Sequence, residues 1–251
     1  MKVNTILKLN QINKNFYQDN SQVFDQTRQF FWSGWQKLLP LLKKQFRNKK
    51  IKVLDLGCGN GRFGLWLKNK VFDFNYWGID QNEVLLNLAK QRLTKEGVSG
   101  QFILLDLVDK LVQKKSLFEF TQQFDLIVLF GFWHHCPAQE LRINLLFSLK
   151  KYLAKDGLLV ISFWQFANDI KLINREQKNI IQLGLNDDAL EKNDYLLTWE
   201  RGKKSYRYGH FSNLEEITLL AIKTQLQIGN FFYDDGKNQH MNLYCVFSLI
   251  N

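Results

Sequence analysis

Short apolar runs alternate with segments of helical periodicity through the middle of the chain. Glu83–Lys95 shows the helical type, with apolar residues three and four positions apart. Strands that alternate with helices predict a doubly wound α/β fold with a parallel sheet and right-handed crossovers. The five strands predicted in this way are Ile51–Leu56, Phe74–Ile79, Gln101–Leu105, Phe124–Phe130 and Leu158–Phe163.

The N-terminal region precedes the first strand and has a different pattern. Residues 1–15 are polar without strong periodicity and predict an arm. Phe16–Phe46 is rich in aromatic residues and helical in pattern. We therefore expect an N-terminal arm and helical cap over residues 1–48, followed by one α/β domain over residues 49–251.

The C-terminal part completes the expected sheet. Leu226–Tyr233 and Met241–Ile250 flank a turn and predict an antiparallel hairpin. Added to the five parallel strands, the hairpin gives a mostly parallel sheet of seven strands. Residues 167–205 carry many charges and few regular signals, which predicts an insertion or lid.

The turn after the first strand is rich in glycine. Glycines stand at positions 57, 59, 61 and 64, and a helical pattern begins at once. A strand, a glycine turn and a helix form the first half of a nucleotide-type βαβ unit. Gly59, Gly61 and Gly64 fit the dinucleotide pattern G-x-G-x-x-G, which alone is weak evidence.

Acidic residues lie at the ends of three of the predicted strands, and their charge helps to distinguish a dinucleotide ligand from one without phosphate. Asp55 beside a pyrophosphate would bring two anions together, whereas it suits a ligand with an ammonium, a sulfonium and no phosphate. That ligand is S-adenosylmethionine (SAM). Asp80 is placed to accept from ribose hydroxyls, and Asp106 to meet the adenine amino group. The expected cofactor-binding residues are Asp55, Gly57, Cys58, Gly59, Gly61, Asp80, Gln81, Asp106, Leu107 and Phe130.

Composition and charge indicate which partners and which cellular compartment to expect. The 251 residues are 45% hydrophobic, enough for a real core, and the formal net charge is +10. This charge favours anionic partners such as nucleic acid, although lysines also simply solvate a surface. Three isolated cysteines without metal-ligand spacing indicate a reduced, cytoplasmic protein without a metal site. We expect no membrane span, because no apolar run is long enough.

The sequence D-L-G-C-G-N-G with Asp80 and Asp106 resembles class I SAM-dependent methyltransferases over roughly residues 50–165. A narrower resemblance is to the tRNA wobble-uridine carboxymethyl methyltransferases. Two features depart from that family: Gly209 replaces an expected aromatic residue, and Leu107–Gln123 is longer than expected. The matching motifs are Phe24-x-x-Thr27-Arg28-x-x-x-Trp32, Gly57–Gly61, His134-His135, Val160–Trp164, Asp194–Trp199 and Arg207–Phe211.

This narrower resemblance implies methylation of the carboxylate of 5-carboxymethyluridine in the anticodon. Eukaryotic members of the family work with a small zinc-binding activator protein, which makes such a subunit an expected partner beside tRNA. A carboxylate nucleophile needs no base, so catalysis becomes mainly positioning by a cationic clamp. The candidates for the clamp are Arg28, His135, Arg207 and His210.

Several alternatives stay open at the level of sequence. Adjacent histidines on an extended segment point opposite ways, so we expect only one of His134 and His135 to face the pocket, with His134 structural. A neutral acceptor would instead use a histidine as general base. Two competing hypotheses are a methyltransferase that acts on a small metabolite and a SAM-binding, methyltransferase-like regulatory module. The sequence leaves the acceptor atom and the oligomeric state undetermined.

Overall fold

The main sheet has seven strands, and five of them are parallel. The computed structural model describes residues 1–169, 180–199 and 204–250. The sheet confirms the predicted doubly wound fold, with the last two strands in the predicted C-terminal hairpin. In spatial order the strands are β3 (Gly100–Leu104), β2 (Phe74–Asp80), β1 (Ile51–Leu56), β4 (Phe124–Leu129), β5 (Leu153–Trp164), β9 (Asn242–Leu249) and β8 (Leu226–Asp234).

Helices cover both faces of this sheet, which explains why its central strands are continuously apolar. Neighbouring residues of β1 show the division: Val53 packs in one hydrophobic cluster and Leu54 in the other. Helices α2, α3 and α4 cover the first face, and α5, α6 and α7 cover the second. The helices are α2 (Ser33–Gln45), α3 (Arg62–Asn69), α4 (Glu83–Lys95), α5 (Leu107–Val112), α6 (Gln139–Tyr152) and α7 (Leu214–Thr224).

The N-terminal helix α1 (Val3–Gln26) begins far earlier than the sequence suggested. Residues 1–15 were expected to form an arm because they lack a strong apolar stripe. The helix instead buries asparagines: Asn10, Asn13 and Asn20 are each at most 3% exposed. Their side chains bind partners far along the chain, so polar residues share the contact face of the helix with the buried apolar residues Ile6, Leu9 and Phe16.

Helix α1 rests on a separate two-stranded sheet. This sheet pairs β6 (Asp194–Trp199) with β7 (Ser205–His210) in antiparallel order. The Tyr208 backbone N–H donates to Asn13, and the Asn20 side chain donates to the hydroxyl of Ser205. The small sheet thereby holds α1 above the carboxyl edge of the main sheet.

The predicted insertion at residues 167–205 therefore contains a regular strand, β6. Residues 170–179 and 200–203 of that prediction lie outside the described residues. The division of the chain at residues 48 and 49 stays a prediction. Across the described parts of the chain, no helix combines the length and apolar character needed to cross a bilayer.

Candidate active site

A cavity of about 250 Å³ opens where the parallel strands end. Its floor is the glycine loop after β1 with the first residues after β2 and β4. Its roof comes from α1 and the segment that joins α1 to α2, through Tyr17, Phe24, Arg28 and Trp32. Doubly wound folds bind ligands at this edge of the sheet.

The glycine loop adopts backbone conformations that residues with a Cβ rarely adopt. Gly57, Gly59 and Gly61 all have positive φ, of +70°, +52° and +78°. A Cβ on Gly61 would lie 2.9 Å from the Cβ of Ala89, so this glycine lets the loop pack on α4. A Cβ on Gly59 would meet no atom within 4 Å, because that position faces open space.

Asp80 fixes the loop from the end of β2. The backbone N–H groups of Gly59 and Asn82 each donate to one of its carboxylate oxygens, at 2.8 Å. Burial raises the pKa of Asp80 even though backbone hydrogen bonds favour the charged form. Both oxygens are thus positioned at the cavity wall.

Asp55 lines the same wall and is 2% exposed. The Tyr76 hydroxyl donates to its carboxylate at 2.6 Å. Burial raises the pKa of Asp55 to about 7, and the nearby Asp80 adds to the shift. A cation bound between these two carboxylates would relieve their repulsion.

The remaining predicted cofactor residues divide into two groups. Cys58, Gln81, Leu107 and Phe130 line the cavity, whereas Gly61 shapes the loop from behind. Asp106 does not line it, which corrects the expectation that this residue meets an adenine.

The carboxylate of Asp106 is already occupied by its own surroundings. It accepts from the backbone N–H of Asp109 and so caps α5. Asn10 of α1 donates to it at 2.9 Å, and Lys14 forms an ion pair with it at 3.1 Å. Asp106 therefore fastens α1 and α5 together.

Arg207 brings a cation into the cavity from β7. Its guanidinium lies over three rings, with centroid distances of 4.3 Å to Trp164, 5.4 Å to Trp199 and 5.5 Å to Phe16. Its Nε has no hydrogen-bond partner, and no carboxylate of the described residues pairs with it. Burial lowers the pKa of Arg207 to about 10, so the side chain stays charged at neutral pH.

Two further arginines line the same cavity. Arg28 lies over the ring of Phe24 at 4.3 Å and donates to the Thr27 hydroxyl at 2.7 Å. Arg62 was missed by the sequence analysis, although its position as the first residue of α3 beside the glycine loop was a usable signal. It donates to the backbone carbonyl of Phe30 at 2.9 Å and so ties the roof to the floor.

His135 has both ring nitrogens occupied. Nδ1 lies 2.9 Å from the backbone oxygen of Tyr208, which can only accept, so Nδ1 carries the proton. The Tyr17 hydroxyl therefore donates to Nε2, at 2.8 Å. Burial and nearby Arg207 lower the pKa of His135 to about 3, which makes it a neutral imidazole rather than the expected cationic donor.

His134 also lines the cavity, contrary to the expectation that only one of the two histidines would do so. Residues Trp133–His135 form a 3₁₀ turn and not an extended segment, so the side chains do not alternate. The ring of His134 packs 4.1 Å from that of His135, and its buried Nδ1 has no hydrogen-bond partner among the described residues.

His210 does not belong to this site, which corrects its assignment to the acceptor clamp. Nδ1 lies 2.7 Å from the carboxylate of Asp194, and Nε2 lies 3.0 Å from that of Glu216. Burial acts to lower the pKa of His210, but these two hydrogen bonds outweigh it and raise the pKa above its usual value. The residue lines a different cleft with Arg142, on the outer side of β7.

Comparison with known proteins assigns this chain to a family. A family model described as a methyltransferase domain matches residues 47–208, which include the glycine loop, all of β6 and the first four residues of β7. The chain belongs to the methyltransferase-domain family. A protein of Encephalitozoon cuniculi named as a methyltransferase is 25% identical over 214 residues, covering 85% of this chain and 86% of that protein.

Solved structures of other methyltransferases are similar to this methyltransferase in fold. A SAM-dependent methyltransferase from Clostridium acetobutylicum has a TM-score of 0.64 at 14% identity, covering 95% of this chain and 99% of that one. The magnesium protoporphyrin IX methyltransferase of Synechocystis, solved with bound SAH, has a TM-score of 0.63 at 15% identity, covering 94% and 99%. This chain is thus a methyltransferase with the fold of SAM-dependent enzymes, and SAM is its cofactor.

Proposed function

We propose that this methyltransferase transfers the methyl group of SAM to a carboxylate held by Arg207. The observation that carries the proposal is the Arg207 guanidinium, which lines the cavity without a described carboxylate partner. Arg207 is half-buried among aromatic rings, and a cation in such surroundings is stabilised when an anion joins it. An acceptor carboxylate supplies that anion, and a guanidinium binds it through two parallel hydrogen bonds.

The cofactor end of the cavity suits SAM in charge and shape. Asp80 would hold the ribose hydroxyls, and Asp55 would face the positive charge of the methionine part. Gly59 leaves room for close approach of a ligand to the loop backbone. The further residues proposed to hold SAM are Gly57, Cys58, Gln81, Leu107 and Phe130.

Bound SAM supplies an electrophilic methyl group on a sulfonium, whose departure as a neutral thioether requires no acid. A carboxylate acceptor is already nucleophilic at neutral pH, so no base is needed either. The protein then has to orient the acceptor and exclude water. The ring of Trp164, which lines the cavity and packs on Arg207, would serve both purposes.

The state of His135 favours this acceptor over a neutral amine or hydroxyl. A neutral acceptor calls for a general base whose pKa lies near the working pH. The pKa of His135 is about 3, and its Nε2 already accepts from Tyr17. Tyr17 in turn keeps its proton, because burial raises its pKa to about 12.

Loss of the guanidinium tests the proposal. We expect Arg207→Ala to lower methyl transfer at least tenfold, which corresponds to about 1.4 kcal/mol of transition-state stabilisation. SAM affinity, measured by calorimetry, should stay nearly unchanged, since Arg207 lies at the acceptor end. Lys223→Ala is the matched control, because Lys223 is an exposed cation in the last turn of α7 and does not line the cavity. Equal activity of the two variants would reject Arg207 as the clamp.

Among carboxylate acceptors we propose the 5-carboxymethyl group of a tRNA wobble uridine. Its support is the motif resemblance, which includes Thr27-Arg28 and Arg207–Phe211, together with the aromatic walls of the cavity. A base that reaches this cavity must leave its stack, and Trp32 or Trp164 offers a ring to pack on. None of the three relatives described above is named for a tRNA substrate, and a small-metabolite carboxylate is the competing acceptor.

Tritium-labelled SAM distinguishes the two acceptors. The protein is incubated with total tRNA and, separately, with the small-molecule fraction from a strain that lacks it. Cell extract from that strain is added to supply a helper subunit if one is required. The tRNA proposal predicts label in tRNA, and label confined to small molecules would replace it with the metabolite. Binding of SAM with no transfer in any fraction would favour a regulatory module.

A further inference from the structure

Positive charge is concentrated in one short segment far from the cavity. Six of the ten residues from Lys43 to Lys52 are lysine or arginine, and all six are exposed. The segment runs from the last turn of α2 into the start of β1. We call these six residues, Lys43, Lys44, Arg47, Lys49, Lys50 and Lys52, the amino-edge cluster.

The cluster lies at the amino ends of the parallel strands, opposite the cavity. Ile51 pairs with Phe74 at the start of β2, and the side chain of Gln45 donates to the backbone oxygen of Asp156 near the start of β5. Exposed Lys68 at the end of α3 and Lys155 in β5 continue the positive charge on either side. The carboxyl ends of the same strands carry Asp55 and Asp80 at the cavity, so the cluster and the cavity lie at opposite edges of the sheet.

Most of this charge has no counter-ion. Lys49 pairs with Asp125 at 2.6 Å and Lys50 with Asp73 at 3.5 Å. In the ranges that the structure describes, the other four members have no carboxylate within 4 Å. The helix dipole stabilises Lys43 and Lys44 in the last turn of α2, but Arg47 and Lys52 lie beyond the helix. Helix capping therefore explains only part of the cluster.

We propose that the amino-edge cluster binds the phosphate backbone of a nucleic acid. A row of exposed cations without counter-ions matches a chain of regularly spaced phosphates, and counter-ion release drives such binding. A membrane surface fits less well, because the apolar residues of the segment, Phe46 and Ile51, are 4% and 1% exposed and have nothing to insert.

The amino-edge cluster should bind nucleic acid independently of the active site. A six-residue strand spans about 20 Å, so the cluster and the cavity are separated by the length of the parallel strands. Binding here should need neither SAM nor an acceptor group. The inference does not rest on the carboxylate proposal, and a nucleic acid held here would have to follow the side of the domain to reach the cavity.

The test measures RNA binding without cofactor. A fluorescein-labelled single-stranded RNA of 20 nucleotides is titrated with protein at 50 to 200 mM salt. The test variant replaces Lys43, Lys44, Arg47 and Lys52 with alanine. The control variant replaces four other exposed lysines, Lys2, Lys90, Lys192 and Lys237, and so has the same net charge.

We expect the test variant to bind at least tenfold more weakly, with a salt slope smaller by about 3, since each phosphate contact contributes about 0.7. Unchanged SAM affinity shows that the variant is folded. Equal losses in both variants would mean that net charge alone attracts RNA, and would overturn the inference. Tighter binding of the wild-type protein to phosphatidylserine vesicles than to RNA would also overturn it.

Discussion

The Tyr17 hydroxyl lies 2.8 Å from Nε2 of His135 and joins α1 to the loop after β4. Because Nδ1 of His135 donates to the Tyr208 backbone oxygen, three separate parts of the chain meet at one imidazole. The two residues also pack edge to face, with ring centroids 5.4 Å apart. The roof of the cavity is therefore fastened to its floor beside Arg207.

Removing the Tyr17 hydroxyl should destabilise the protein. Tyr17→Phe leaves a buried ring nitrogen without its donor, at a cost of about 1–3 kcal/mol in the free energy of unfolding. Urea denaturation at neutral pH measures this loss. Tyr206→Phe removes a hydroxyl from an exposed hydrogen bond with Gln182 and should change stability by less than about 0.5 kcal/mol. Equal effects of the two substitutions would mean that the Tyr17–His135 bond adds no stability.

Local sequence order made much of this site predictable. Gly57, Gly59 and Asp80 lie at the ends of consecutive strands, and a parallel sheet brings its strand ends to one edge. The order of residues along the chain is therefore enough to place the glycine loop and its acidic neighbours together.

Asp106 and His210, which were predicted to lie in the site, are held elsewhere by partners on other elements of the fold. Asp106 is held by Asn10, which lies 96 residues earlier, and His210 by Asp194 on the paired strand β6, 16 residues earlier. No periodicity reveals such pairs, and the partly polar contact face of α1 concealed the start of that helix. His134 was misassigned because a 3₁₀ turn replaced the extended segment that its neighbours suggested.

Asp80 should be a main determinant of cofactor affinity. Asp80→Ala removes the proposed ribose acceptor and frees the Gly59 N–H, so we expect SAM binding to weaken by about 1–3 kcal/mol. Calorimetry with SAM and with SAH checks this. Asp73→Ala is the control, because Asp73 precedes the other end of β2 and forms only an exposed ion pair with Lys50. Unchanged affinity in Asp80→Ala would refute the proposed placement of the ribose.

SAM affinity should rise with pH through the pKa of Asp55. In the free protein burial raises this pKa from 3.8 to about 7, so the stability contributed by protonated Asp55 is lost as pH rises through 7. A bound cation favours the carboxylate and releases the proton. The dissociation constant should therefore fall between pH 5 and 7, by up to about tenfold per unit, and level off above pH 8.

The substitution Asp55→Asn separates the contribution of Asp55 to the pH dependence of SAM affinity from the titration of other groups. The amino group of SAM titrates equally with both proteins, so the difference between them reports Asp55 alone. Calorimetry from pH 5 to pH 8.5 should give a flatter profile for the variant. Parallel profiles would show that Asp55 does not face the cofactor charge.

Val71 occupies a backbone conformation that favours glycine. It follows the end of α3 with φ of +63°, its backbone N–H donates to the Lys68 oxygen, and its side chain is 91% exposed. A β-branched residue is strained there, so Val71→Gly should raise the free energy of unfolding by about 1 kcal/mol. Thermal denaturation checks the sign. Val84→Gly, inside α4, should instead lower stability, and a lower melting temperature for Val71→Gly would contradict the strain.

The alkali stability of the methylated product reveals whether the acceptor atom belongs to a carboxylate. Methyl transfer to a carboxylate makes an ester, which mild alkali hydrolyses to volatile methanol, whereas N-methyl groups and methyl ethers survive. The labelled product of the wild-type protein is isolated, treated with dilute alkali, and its volatile tritium is counted. We predict that nearly all the label is released as methanol, and label that stays with the acceptor would contradict the assignment of Arg207 to a carboxylate.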